Sequence, residues 1–256
     1  MTDHIVFVHG MFQNPKSWDN WMHIFEAKGY HCTAPAWPLH DGEPADLRQN
    51  PPIGLGELSL DEVVTRIEAV VAALPQRPIV IGHSVGGLIV QILANKNLLA
   101  AGVCIDSIAP NAMLAMNLGF FKNSAKIANP LKGDQPIMMD EKSFHASFAN
   151  TMSETASDAA FRQYATHDSR NVLRDCMGDA GKIDLHTPHK PLLFISGQKD
   201  EIVPPSLNQK NAKAYTDKAS VTNYREFPGR GHFICGQPGW EAIAEYVHGW
   251  LRMNAG

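Results

Sequence analysis

Residues 78–93 read Pro-Ile-Val-Ile-Gly-His-Ser-Val-Gly-Gly-Leu-Ile-Val-Gln-Ile-Leu. A short β-branched run stops at Gly82-His83-Ser84-Val85-Gly86, and an apolar, helix-compatible run follows with no spacer. A strand that passes straight into a helix leaves few foldable solutions. The backbone must reverse so sharply that neighbouring side chains would collide, and Gly82 and Gly86 leave the space. The turn lifts the Ser84 hydroxyl clear of the sheet. It also places the Val85 N–H at a helix start, where it points at developing negative charge. A lone G-x-S-x-G is a weak signal, because glycine and serine are common. The strand–turn–helix setting gives it weight.

Taken in order, the chain alternates strand and helix patterns. His4–Val8 is an apolar β-rich run, read as a buried strand ending in His9-Gly10-Met11-Phe12. Gly10 lets the backbone turn over the sheet edge, and the Met11 N–H is expected to face Ser84 as a second oxyanion donor. His9 is expected to orient that loop. Residues 15–29 read as a helix, with Trp18, Trp21, Met22 and Phe25 at helical spacing and Gly29 as its stop. A second strand falls within 30–37. Residues 38–56 form a long Pro/Gly-rich connection, expected to line the mouth of a pocket. Ser59-Leu60-Asp61-Glu62 is a capping box, and Val63, Val64, Ile67, Val70, Val71 and Leu74 give the following helix one apolar face.

Ala101–Asp106 reads as the next strand. Residues 109–190 then change character: Met113, Met116, Phe120, Phe121, Met138, Met139, Phe144, Phe148 and Met152 are interspersed with Pro130 and Pro136. This pattern predicts an inserted helical cap, between core segments 1–108 and 191–256. Met and Phe suit an adaptable apolar pocket and equally suit cap-to-core packing. Strands at 191–197 and 221–227 and an amphipathic helix at 240–251 complete an α/β fold. It has about six mainly parallel strands with helices on both faces.

A serine hydroxyl is a poor nucleophile until a base activates it, and that base needs an orienting acid. In a parallel sheet both belong on loops at the strands' carboxyl ends. Asp200 follows one strand in Gly197-Gln198-Lys199-Asp200. His232 follows the next in Gly229-Arg230-Gly231-His232. The chain has 12 histidines, but this one sits in a glycine-flanked turn after the last strand. The order Ser84, Asp200, His232 is that of a strand-end catalytic triad. Asp106 and Glu201 are rival acids. His83 is read as packing inside the elbow. His186 and His189 lack further ligands close in sequence and read as a loop, not a metal site.

Composition narrows the classes. The net charge of −4 and the lack of a basic stripe argue against nucleic-acid binding. No apolar run approaches the roughly 18 residues that span a membrane. Met1-Thr2-Asp3-His4 has no basic n-region, so no signal peptide is read. The four cysteines are widely spaced and read as free thiols in a reducing cytoplasm. Cys104 is expected in the core, and Cys235 as a buried small hydrophobe.

His9-Gly10, Gly82-His83-Ser84-Val85-Gly86-Gly87, Gly197-Gln198-Lys199-Asp200 with Val203-Pro204, and Gly231-His232 together resemble the α/β-hydrolase-fold superfamily across nearly the whole chain. Residue 4 already lies in the His-Gly strand, which resembles the trimmed plant esterase and hydroxynitrile lyase branch. That branch's lyases carry Lys after the catalytic His, where this chain has Phe233. The resemblance implies a serine hydrolase that cleaves small-molecule esters with an apolar part through an acyl-enzyme, without cofactor or metal. Perhydrolase or haloperoxidase activity, lactone or thioester hydrolysis, acyl transfer and lyase chemistry are alternatives on the same triad. A non-catalytic ligand receptor is a further one.

Overall fold

The computed structural model describes residues 2–114 and 127–255. Six strands form one sheet in the order β2-β1-β3-β4-β5-β6: β1 His4–Val8, β2 His31–Thr33, β3 Ile79–His83, β4 Ala101–Ile105, β5 Leu192–Gly197 and β6 Thr222–Phe227. Every pairing is parallel. Their carboxyl ends therefore share one edge, where His9, Ser84, Asp106, Asp200 and His232 all follow strands.

Alternation along the strands divides the core in two. Ile5, Phe7, Ile79, Ile81, Val103 and Ile195 face α1 (Asp19–Ala27) and the C-terminal helix Glu241–Asn254, meeting Trp18, Trp21, Phe25, Val247 and Trp250. Val6, Val8, Val80, Cys104 and Phe194 face the opposite way. They pack against Leu60, Val63 and Ile67 of the helix Leu60–Ala72 and against Leu88 and Ile89 of Val85–Asn95. The capping box forms as expected: Ser59 accepts from the Glu62 N–H, and Glu62 reaches back to the Ser59 N–H.

Three elements add detail to the expectations. The helix read over 15–29 begins as a 3-10 turn, Pro15–Trp18, capped by the Asn14 side chain, and only then becomes α1. The second strand lies within the expected span but has only three residues. It is an edge strand, and Pro35 and Pro38 beyond it offer no ladder donor. The connection 38–56 contains a short helix, Pro44–Gln49, with Pro44 at its first position. Arg48 in that helix donates to the carbonyls of Arg162 and Ala165 at 2.6 and 2.7 Å. It thus satisfies open carbonyls at the end of the helix Glu154–Tyr164.

Between β4 and β5 lie the π-helical turn Phe144–Phe148 and the helices Glu154–Tyr164 and Arg170–Cys176. Phe144, Phe148 and Phe161 pack with Phe233 in a third apolar cluster, so this segment joins the core through the loop that carries His232. Met116, Phe120 and Phe121 lie outside the described residues. Among the described residues no helix is long and apolar enough to cross a membrane.

Candidate active site

The turn after β3 has the shape its glycines imply. Ser84 takes φ 56°, in the left-handed region, immediately before the helix Val85–Asn95. A residue with a Cβ pays strain there, and the surrounding structure must hold it. The Ser84 N–H donates to the Ile105 carbonyl of β4 at 2.9 Å, and its own carbonyl accepts from Ile108 at 3.1 Å. A Cβ on Gly86 would collide with the carbonyl oxygens of Val8 and His9, and one on Gly82 with that of Gly86. Gly10 is equally confined: its Cβ would lie 2.8 Å from that of Ser84. The glycine thus lets the loop after β1 run directly past the hydroxyl.

His232 and Asp200 come together as their loops suggest. His232 Nδ1 lies 2.7 Å from Asp200 Oδ2, with both side chains buried. The other Asp200 oxygen accepts from the Ile202 and Val203 N–H groups at 2.7 and 2.9 Å. Three donors thus hold the carboxylate in place. They also fix the imidazole with Nδ1 protonated and Nε2 free to act. Phe148 lays its ring edge against His232, 5.0 Å between centroids at 75°. Ser84 and His232 line one cavity.

The rival acids are also close by. Glu201 lines the cavity. Asp106 is wholly buried at the end of β4, where one oxygen accepts from the Gly197 N–H at 2.7 Å. Its second oxygen has no hydrogen-bond partner among the described residues. Burial, and then the neighbouring Asp200 charge, push its carboxyl well above the usual range. Burial thus disfavours a charge on Asp106, while Asp200 holds the hydrogen bond to His232. His83, Asp106 and His232 each bring one possible ligand atom within 4.8 Å of the others. Hydrogen bonds already organise the group: His83 Nε2–H donates to the His232 carbonyl at 2.8 Å, and Asp200 takes His232 Nδ1. His83 thus does more than pack. Burial, and then the proximity of His232, hold its pKa well below the ordinary value, so it serves as a neutral donor tying the elbow to the His232 loop.

His9 is stacked on Trp37 at 4.4 Å between centroids. Its Nε2 accepts from the Trp37 N–H at 3.3 Å, so Nδ1 carries the proton and donates to the Gly10 carbonyl at 2.9 Å. Burial, then His40, keep it neutral. The Met11 N–H has no acceptor among the described residues, and Val85 is the first residue of its helix, where N–H groups lack intrahelical partners.

The cavity holds about 380 Å³ and is walled mainly by apolar side chains. Met11, Phe12, Val85 and Ile108 come from strand-end loops, and Ile127, Met139, Phe148 and Leu173 from the segment between β4 and β5. No residue of 38–56 lines it; that connection instead supports the segment through Arg48. Cys235 is buried and does not line the cavity; its carbonyl accepts from Trp21 Nε1 at 2.8 Å. Asp168 and His40, behind the Met11–Phe12 loop, were not legible as site residues. Thr166-His167-Asp168-Ser169 reads only as a helix start.

A family model described as the Alpha/beta hydrolase family matches residues 5–245. No curated protein matches the chain by sequence. Solved structures similar to it include a monoacylglycerol lipase from Paleococcus ferrophilus, 20% identical, covering 98% of this chain and 95% of that one with a TM-score of 0.70. A pyrethroid hydrolase from Sphingobium faniae is 15% identical, covering 98% and 97% with a TM-score of 0.70. A methylesterase from Arabidopsis is 13% identical, covering 98% and 99% with a TM-score of 0.68. At such identities the likeness is one of fold. The sequence match spans almost the whole chain and the six-stranded parallel sheet accords with it: this protein belongs to the alpha/beta hydrolase family.

Proposed function

We propose that this protein is a carboxylic ester hydrolase working through an acyl-enzyme. The observation that carries the reading is the buried His232–Asp200 pair, 2.7 Å apart, in a cavity that His232 shares with a serine on a strained strand-to-helix turn. Ser84 Oγ attacks the ester carbonyl carbon while His232 Nε2 takes its proton. The tetrahedral oxyanion is held by the Met11 and Val85 N–H groups, and one such donor is worth about 3 kcal/mol in the transition state. Collapse expels the alcohol, which receives the proton from His232. Water, deprotonated by His232, then attacks the acyl-enzyme and releases the acid. Asp200 steadies the imidazolium in both halves.

Residues 109–190 act in this reading as the cap that shapes the cavity. Its volume and apolar walls suit a compact ester with an apolar part. The similar structures include a lipase, a methylesterase and a pyrethroid hydrolase, which supports the reaction class. Phe233 packs its ring against Phe144, Phe148 and Tyr164 and brings no cation to the site, which favours ester hydrolysis over the lyase alternative. All four cysteines are unpaired thiols, which suits the cytoplasmic placement we propose. The test is the initial rate on p-nitrophenyl esters from acetate to long chains, beside Ser84→Ala. Serine-dependent turnover, strongest on short and medium chains, is expected. Full activity in Ser84→Ala overturns the mechanism.

A further inference from the structure

The loop that carries Met11 is held by a carboxylate from a distant part of the chain. Phe12, the next residue, takes φ 63°. For a bulky side chain this conformation costs free energy and persists only where neighbours over-determine it. Here they do. The Phe12 N–H donates to Asp168 Oδ2 at 2.9 Å, across 156 residues of sequence. The Phe12 carbonyl accepts from the Thr166 N–H at 3.0 Å, and the Thr166 hydroxyl donates to the Gln13 carbonyl at 3.3 Å.

Asp168 is itself immobilised. It is wholly buried; its Oδ1 accepts from the Ser169 N–H at 2.7 Å; its backbone exchanges two hydrogen bonds with Ile137, at 2.8 and 2.9 Å. Behind it stands His40, also buried, with Nε2 3.5 Å from Asp168 Oδ2. His40 Nδ1 donates to the Pro38 carbonyl at 2.9 Å, so a proton on Nε2 makes the ring a cation. Burial is the largest single influence and opposes that charge, but the Asp168 carboxylate and the Pro38 and His167 carbonyls together raise the His40 pKa. A buried carboxylate that accepts two N–H bonds and faces an imidazole nitrogen is a partnered polar group, and removing one partner exposes the others.

We infer that Asp168, backed by His40, is a positioning residue for oxyanion stabilisation: it clamps the Phe12 peptide so that the adjoining Met11 N–H faces Ser84. The role given to Met11 rests on the ester-hydrolase reading, whereas the clamp rests on the hydrogen bonds themselves. The segment between β4 and β5 thereby does more than wall the cavity. It sets the geometry of the loop on the far side of the nucleophile.

The test compares the whole protein with Asp168→Asn and His40→Gln. Asparagine keeps the shape but has one acceptor oxygen for two N–H donors, so a donor faces an amide NH2. Hydrogen exchange of the peptide covering residues 9–14 reads the clamp without any substrate. It should accelerate about tenfold or more in Asp168→Asn and several-fold in His40→Gln, while peptides of β3 and β4 stay protected. On the p-nitrophenyl ester, kcat of Asp168→Asn should fall on the order of 10²-fold with KM within about threefold, since a misplaced oxyanion donor is felt in the transition state. Unchanged exchange in residues 9–14, or a loss confined to KM, overturns the inference. If Asp168→Asn fails to fold, His40→Gln alone decides by the same two readouts. A wild-type protein inert to esters and to a serine-directed phosphonate removes the hydrolase reading, and exchange then decides whether the clamp exists.

Discussion

The loops at the strand ends and the segment between β4 and β5 enclose the same cavity but are built differently. The strand-end loops take their shape from close packing of backbone on backbone. Gly86 lies against the Val8 and His9 carbonyls, Gly10 against Ser84, and the Ser84 N–H bonds to β4. The segment instead presents flexible methionines, a π turn and a phenylalanine cluster, and packs on the core through side chains, with backbone bonds at Thr166 and Phe148. Backbone packing tolerates almost no added volume, whereas soft side chains repack at modest cost. Chemistry is expected to be sensitive to the first region and substrate choice to the second.

Three experiments can break or sharpen that contrast. The largest effect is expected at the acid. Asp200→Asn should lower kcat about 10³–10⁴-fold, because the amide favours the wrong imidazole tautomer. Asp106→Asn should cost less than about tenfold, since an amide mimics the neutral acid that burial favours there. Single-turnover kinetics of both variants decides, and the opposite ranking would make Asp106 the catalytic acid.

Next comes stability. Gly86→Ala must displace backbone oxygens and should cost about 3 kcal/mol or more. Met139→Ala, at the cavity wall, should cost about 1 kcal/mol and move the chain-length preference upward. Urea melts and ester series on the two variants would break the comparison if Met139→Ala proved the more destabilising.

The smallest effect is a pH dependence. The folded-state pKa of Asp106 is raised. Its protonated form therefore contributes stability that is full below the unfolded value of about 3.9 and is lost as pH climbs through the folded value. Asp106→Asn carries no such loss. Its Tm relative to wild type should rise as pH goes up from about 4, and a gap that narrows would contradict a neutral Asp106.

What could be read from the chain follows the same division. The elbow, the capping box at Ser59 and the glycine-flanked His232 turn are local signals, each carried by adjacent residues. The pairing of Asp200 with His232 was legible because parallel strands bring successive loops to one edge. The Asp168–Phe12 bond was not, since nothing near Asp168 in sequence distinguishes it from an ordinary helix-start aspartate. The same holds for the hydrogen bond from His83 to the His232 carbonyl, made between residues 149 apart. The helix Pro44–Gln49 was missed because prolines punctuate a pattern without saying on which side structure resumes.

The left-handed conformation of Ser84 also bears on how the protein folds. Its carbonyl accepts locally from Gly87, but its N–H needs the carbonyl of Ile105, and the neighbouring Gly86 needs β1 alongside. Three strands must therefore dock before the serine acquires its strained turn, and such non-local pairing is slow compared with helix formation. On dilution from denaturant, reactivity toward a phosphonate should return with the slowest whole-domain phase, well after the helical signal recovers.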